Sequence, residues 1–290
     1  MNKSKFYAMP TSIKLTTLIL LLTAQLATTQ LATAQQISKT PLTIGETIEL
    51  KSKTLNENRT INVYLPNTYH PDSTKQYPVI YLLDGSIDED FIHVAGTVQF
   101  CSLSWIDIIP ESIVVGIANV DRKKDFTYPS TVKRDLEEFP TTGHSANFIN
   151  FIANELQPYI SKTYKTNNNK TLIGQSLGGL LATQILFERP ELFDNFIIVS
   201  PSLWWDDENL LKRKLDKPLT GKRIYVGVGD EGPYMVRGAQ TLYNRLSVEK
   251  SKEARLFYNY FERQNHGDVL HLSVYDAFEK LFQKPNNPTN

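Results

Sequence analysis

The chain is poor in cysteine: Cys101 is the single one among 290 residues. One cysteine excludes an intramolecular disulfide and any cysteine-based metal site. With no redox partner beside it, Cys101 reads as a small buried hydrophobe. An excess of charge of either sign is also missing, since 31 Lys and Arg balance 31 Asp and Glu. Nothing in that balance favours nucleic acid or an anionic membrane held by bulk charge, so a small ligand is the expected partner. No apolar run reaches the roughly 20 residues that a spanning helix requires. Internal repeats and low-complexity linkers are absent as well. What remains, 41% hydrophobic and 11% aromatic residues, is the composition of an ordinary globular domain.

Lys3, Lys5 and Lys14 come before an apolar stretch at 15–26, and small residues follow, ending in Ala32, Thr33 and Ala34. A basic start, a short apolar core and an A-x-A site form the pattern of a cleaved export signal. Residues 1–34 are therefore expected to be removed, leaving no stable membrane anchor and a mature chain near Gln35 that works in the periplasm or outside the cell. Residues 35–284 are expected to form one domain, and 285–290 a frayed tail.

Two β-rich stretches, 47–52 and 60–64, flank polar residues suited to a hairpin and would begin a sheet at one edge. Short continuous apolar runs follow at 79–83, 113–117, 171–173, 196–199, 224–226 and 256–258. Such runs suit strands buried on both faces, as in a mainly parallel sheet. Helical periodicity appears between them in Phe148, Ile149, Ile152 and Leu156, in Leu180, Leu181, Ile185 and Leu186, and in Met235, Val236, Ala239, Leu242, Tyr243 and Leu246. Strands alternating with helices predict an α/β layered fold, whose ligand site lies beyond the carboxyl ends of the strands.

The most informative segment is Gly174-Gln175-Ser176-Leu177-Gly178-Gly179, placed between an apolar strand and an apolar helix. A nucleophilic serine on a sharp strand-to-helix turn needs small residues two positions away on each side, and the helix it opens directs a positive dipole end at the site. A serine hydroxyl needs a base. Of the two histidines after Ser176, His266 lies in a loop past the last strand, whereas His271 falls in the closing helix, so His266 is the expected base. The supporting acid is less determined, because the strand ending at Gly229 offers Asp230 and Glu231 side by side. Glu231 is preferred; Asp230, Asp206, Asp207, Asp268 or no acid at all are alternatives. The oxyanion donors would be the amide of Leu177 and that of Gly85 or its neighbour, where Asp84-Gly85 also suits a plain turn.

These blocks resemble the esterase family of α/β-hydrolases, in the branch that includes periplasmic enterobactin-type and bacillibactin-type siderophore esterases. The matching residues are Tyr81-Leu82-Leu83-Asp84-Gly85, Val115-Gly116-Ile117 with Asp121-Arg122, Glu155-Leu156-Gln157-Pro158-Tyr159-Ile160, the Ser176 segment, Ser200-Pro201-Ser202-Leu203-Trp204-Trp205-Asp206, and His266-Gly267. The resemblance implies the α/β-hydrolase fold: a mainly parallel central sheet, helices on both faces and an antiparallel N-terminal edge. It implies Ser176 and His266 as the catalytic pair, Gly85 and Leu177 as oxyanion donors, and Arg122 and Trp204 as contacts for the acyl substrate. It implies hydrolysis of a carboxylic ester, with siderophore lactones first among substrates, through an acyl-enzyme and without metal or organic cofactor. Relatives with a clear acid carry Glu where this chain has Gly232. Feruloyl or acetyl ester hydrolysis on polysaccharide, and an acyl-binding protein with little turnover, are the alternative readings.

Overall fold

The computed structural model describes residues 10, 12, 13, 15, 16, 18–20 and 34–282. Most of the export segment expected over 1–34, and the tail expected at 285–290, lie outside the described residues. The chain divides into a leading unit, residues 1–42, and a body, residues 43–290. The described residues between 12 and 20 are helical. Among the described residues no helix is long and apolar enough to cross a membrane.

The body begins with the expected hairpin. Strand β1 (Gly45–Ser52) pairs antiparallel with β2 (Glu57–Tyr64), in a register running from Gly45 opposite Tyr64 to Ser52 opposite Glu57. Strand β2 then pairs antiparallel with β4 (Ile113–Ile117). Beyond β4 all pairings are parallel, through β3 (Tyr77–Leu82), β5 (Thr166–Gln175), β6 (Asn195–Val199), β7 (Arg223–Gly229) and β8 (Arg255–Phe261). The eight strands lie in the order β1-β2-β4-β3-β5-β6-β7-β8.

Side chains alternate across a strand, so the apolar runs feed two separate cores. Val79, Tyr81, Val115, Leu172, Ile198 and Val226 join one cluster, while Ile80, Leu82, Val114, Ile173, Ile197 and Tyr225 join the other. The first face is covered by helices α4 (Ser145–Phe151), α5 (Gln157–Thr163), α6 (Leu177–Glu188) and α7 (Gly232–Glu249). The second is covered by α1 (Phe91–Cys101) and α8 (Val269–Phe282). Each buried Leu, Ile or Phe in these layers contributes about 1.5–3 kcal/mol relative to exposure. Continuous apolar runs were required because both faces of the inner strands are covered.

Three features depart from the sequence pattern. Helix α1 had no assigned counterpart, because its outer face also carries apolar residues, Ile92 and Phe100, which obscure the inward series Phe91, Val94, Ala95, Val98 and Cys101. The helix expected around 148–156 is broken by a π-helical turn, Ile152–Leu156, before α5. Pro158, in the first turn of α5, has no N–H to give to the turn before it, which accounts for the widened ladder. Two short helices, α2 (Arg122–Phe126) and α3 (Lys133–Glu138), also lacked an apolar signal of their own. Helix α2 is tied to β2 by an ion pair between Arg59 and Asp125, both 1% exposed in the side chain.

Cys101 is buried as anticipated. Burial, aided by Glu279, pushes its thiol up to about 11, which keeps it protonated and unreactive at neutral pH.

Candidate active site

All the segments carrying candidate residues follow the carboxyl ends of parallel strands. Asp84-Gly85-Ser86 follows β3, Ser176 follows β5, Ser200 to Trp204 follow β6, Asp230-Glu231 follow β7, and Asn265-His266-Gly267 follow β8. One cleft of about 500 Å³ is lined by Ser176, Ser202, Trp204, Asp230, Glu231, Met235, Asn265 and His266, a size within the range of small-ligand sites.

Ser176 joins β5 directly to α6 with φ 59 and ψ −120, a conformation that costs a non-glycine residue of order 1–3 kcal/mol and that only surrounding structure maintains. That structure is visible. The Ser176 amide donates to Val199 O at 3.1 Å, and its carbonyl accepts from the amides of Leu180 and Ser202 at 2.9 and 3.0 Å. Gly174 is required by packing, since a Cβ there would lie 2.4 Å from Gly178 O. The strand and helix therefore approach too closely for any larger side chain, as the spacing of the segment implied.

The histidine stands opposite on an exposed loop, its side chain 47% accessible. Its Nδ1–H donates to Glu231 Oε2 at 2.5 Å. This contact sets the tautomer and leaves Nε2 with a lone pair. Glu231 is itself only 3% exposed in the side chain; its other oxygen accepts from Ser200 Oγ and, at 3.0 Å, from the Gly229 amide. Burial raises the pKa of this carboxyl, but hydrogen bonds from His266, Ser200 and the Gly229 amide outweigh it and hold the group below the usual carboxylate value. The histidine loop is tied back to the serine turn by Gln175, whose Nε2 donates to His266 O at 2.6 Å. In this conformation no hydrogen bond joins Ser176 to His266; Ser176 Oγ instead lies 3.3 Å from Ser202 Oγ.

The geometry separates the carboxylates that the sequence left open. Glu231 meets His266, while Asp230 lines the cleft without bonding the ring. Asp206 accepts from Ser130, Thr131 and Asn209, and Asp268 accepts from the Asn265 amide. Gly232, where the resemblance led a Glu to be expected, has φ 80 and nothing against it. A left-handed glycine directly after Glu231 carries the chain from the end of β7 into α7.

Gly85 requires a correction. Its amide is occupied by Ile117 O at 3.0 Å, and its carbonyl accepts from Asn62 Nδ2 at 2.8 Å. The glycine is there because a Cβ would fall 2.3 Å from Gly116 Cα; it permits contact with β4 and does not offer a donor. The neighbouring Ser86 amide and the Leu177 amide have no protein acceptor among the described residues.

Arg122 is not a free substrate contact either. Its Nε and Nη2 grip Asp84 at 2.5 and 2.9 Å, and Nη2 also reaches Gln175 O at 3.3 Å. This fork braces the β3 loop against the serine turn. Beside it, Asp90 is pushed up to about 6 by burial and by Asp84 and Glu89. Trp204 is partly exposed on the cleft wall and packs edgewise on the fully buried Trp205 and beside Phe139; the adjacent tryptophans thus divide into one wall residue and one core residue.

Ser200, Ser202, Gln175 and Met235 are the site residues that sequence reasoning passed over. Ser200 and Ser202 sit in a segment singled out for its tryptophans, and Met235 is helical in spacing yet faces the cleft. The available signal was position, because β6 neighbours β5 and the loop after it must lie beside Ser176.

Known proteins share this sequence pattern and fold. Ferri-bacillibactin esterase BesA of Bacillus subtilis is 29% identical over 259 residues, covering 80% of this chain and 88% of its own length. An IroE-like serine hydrolase from Shewanella oneidensis superposes with a TM-score of 0.75 at 30% identity, over 82% of this chain and 80% of that one. The BES protein from Bacillus cereus does so with a TM-score of 0.72 at 28% identity, over 86% and 98%. These matches fit the α/β-hydrolase fold. Residues 52–272 match the model of the family described as Putative esterase, and the chain therefore belongs to that family of esterases.

Proposed function

We propose that the chain is a serine carboxylic-ester hydrolase in which Ser176 is the nucleophile, His266 the base and Glu231 the supporting acid. The observation that carries this reading is the Glu231 to His266 hydrogen bond in the same cleft as a strained Ser176. In the reacting conformation Ser176 Oγ donates to Nε2 of His266. His266 then takes the proton as Oγ attacks the ester carbonyl, and the imidazolium, stabilised by ionised Glu231, returns it to the departing alcohol. Water repeats the sequence on the acyl-enzyme. The oxyanion is held by the amides of Leu177 and Ser86, neither of which has a protein acceptor among the described residues.

Siderophore esters are the preferred substrates. The relation to an esterase named for ferri-bacillibactin supports this, as does a cleft whose base stands on an exposed loop and admits a bulky group. Trp204 forms the wall against which the acyl group packs, and Arg122 shapes the floor indirectly through Asp84. Residues 1–34 act as an export signal, the mature body forms one domain, and the enzyme works in the periplasm or outside the cell.

The test is hydrolysis of p-nitrophenyl acetate and butyrate, of a ferric catecholate trilactone and of a feruloyl ester, by the protein and by Ser176→Ala. Turnover that disappears in the variant, with the highest rate on the trilactone, is the expected result. An undiminished rate in Ser176→Ala rejects the nucleophile, and a preference for the feruloyl ester moves the substrate to plant polysaccharide.

A further inference from the structure

Ser202 follows β6, the strand beside the one that carries Ser176. Its amide is locked onto Ser176 O at 3.0 Å, it is 2% exposed, and among the described residues its hydroxyl has Ser176 Oγ as its sole hydrogen-bond partner, at 3.3 Å. A buried hydroxyl ordinarily bonds to a nearby carbonyl or carboxylate. Here Glu231 accepts from His266, Ser200 and the Gly229 amide, and neither it nor Asp230, which also lines the cleft, bonds Ser202. Ser202 is left facing the reacting oxygen.

Each hydroxyl has one proton, so the pair has two arrangements. If Ser176 donates, its proton points away from His266 and the site is idle. If Ser202 donates, the Ser176 proton is free for Nε2, and the Ser202 proton faces an oxygen that gains negative charge as its own proton leaves. Reaction requires the second arrangement. We infer that Ser202 is a further catalytic residue, whose hydroxyl donates to Ser176 Oγ and stabilises charge on that oxygen. The inference rests on Ser176 as nucleophile.

In acylation the Oγ–carbon bond forms, the Oγ proton passes to Nε2 and the carbonyl π pair moves to oxygen; collapse breaks the ester C–O bond, and the alcohol leaves with the imidazolium proton. In deacylation water bonds to the carbon and gives a proton to Nε2, after which the Oγ–carbon bond breaks and Oγ regains that proton. Ser202 keeps its own proton throughout. Its hydrogen bond strengthens when Oγ attacks and again when Oγ departs, because a donor to a charged oxygen binds more tightly than one to a neutral oxygen.

Stopped-flow hydrolysis of p-nitrophenyl acetate tests this on the wild type, Ser202→Ala, Ser202→Thr and Ser176→Ala. Ser202→Ala should slow the burst and the steady phase together by about tenfold, the size expected for one charge-assisted hydrogen bond, leaving KM little changed. Ser202→Thr keeps the hydroxyl and should stay within about threefold of wild type. Wild-type rates in Ser202→Ala, or a Thr variant as slow as Ala, would overturn the assignment. Should Ser202→Ala fold poorly, Ser202→Thr against Ser202→Val compares hydroxyl with methyl in one shape, and equal rates reject the role. A burst retained in Ser176→Ala rejects the nucleophile instead; its loss there, with Ser202→Ala unaffected, rejects Ser202 alone.

Discussion

The two sides of the cleft are held by different forces. On the serine side, Ser176 is fixed by three backbone hydrogen bonds and by the contact of Gly174 with Gly178, all within close-packed strand and helix. On the histidine side, His266 stands on an exposed loop and is located by Glu231 at its ring and Gln175 at its carbonyl. Packing thus positions the proposed nucleophile, whereas a few hydrogen bonds position its proposed base. The lesson is that stability and reactivity are separable here: the base can be disturbed with the fold intact, but the serine turn cannot.

Glu231→Gln gives the largest expected effect. It removes the charge opposite the imidazolium and allows the wrong tautomer, so kcat should fall by roughly 10³-fold or more, as for serine enzymes deprived of their acid. Because Glu231 is buried and also accepts from Ser200 and the Gly229 amide, the thermal midpoint should fall by a few degrees, and kcat is compared well below it. A kcat within about fivefold of wild type would mean that the pair acts without its acid.

Gly174→Ala attacks the other side. A Cβ 2.4 Å from Gly178 O forces the backbone apart, at a cost of about 3 kcal/mol, equivalent to a midpoint lower by roughly 10 °C in a body of this size. Activity should decline along with stability. Unchanged melting with lost activity would show that the serine side is no more rigid than the histidine side.

Asp90→Asn sharpens the comparison with the smallest effect. Asp90 sits under the β3 loop with its pKa raised to about 6, so the folded state resists its ionisation. Its cost is absent below the unfolded pKa near 4, grows as pH rises towards 6 and is constant above. The side chain is only partly buried, and solvent screening reduces the penalty to about 1 kcal/mol. The Asn variant should therefore melt a few degrees higher at pH 8, with the difference vanishing at pH 4. Equal melting at both values would remove the electrostatic cost from the serine side.

The parallel strands were legible in the sequence because burial on both faces leaves a continuous apolar run, and the serine turn because its glycines answer a steric need that few other structures share. Helix α1 was not legible, since Ile92 and Phe100 blur its face. The proposed acid was only partly so. Asp230 and Glu231 are equivalent in type and adjacent in sequence, and the orientation of the chain as it enters α7, set by Gly232, decides which one reaches His266. Gly85 misled for a related reason: a glycine beside a site suggests closeness to substrate, yet here it serves closeness to Gly116.

The placement of Ser176 after the fifth strand and His266 after the eighth also has a meaning in time. A growing chain emerges from the ribosome amino end first, so the proposed nucleophile is synthesised three strands before its proposed base, with the proposed acid in between. Until β8 has docked at the edge of the sheet, the chain carries a hydroxyl with no group to take its proton. On this assignment a chain terminated anywhere before residue 266 lacks the base, and the power to cleave esters waits for β8 and the loop that follows it.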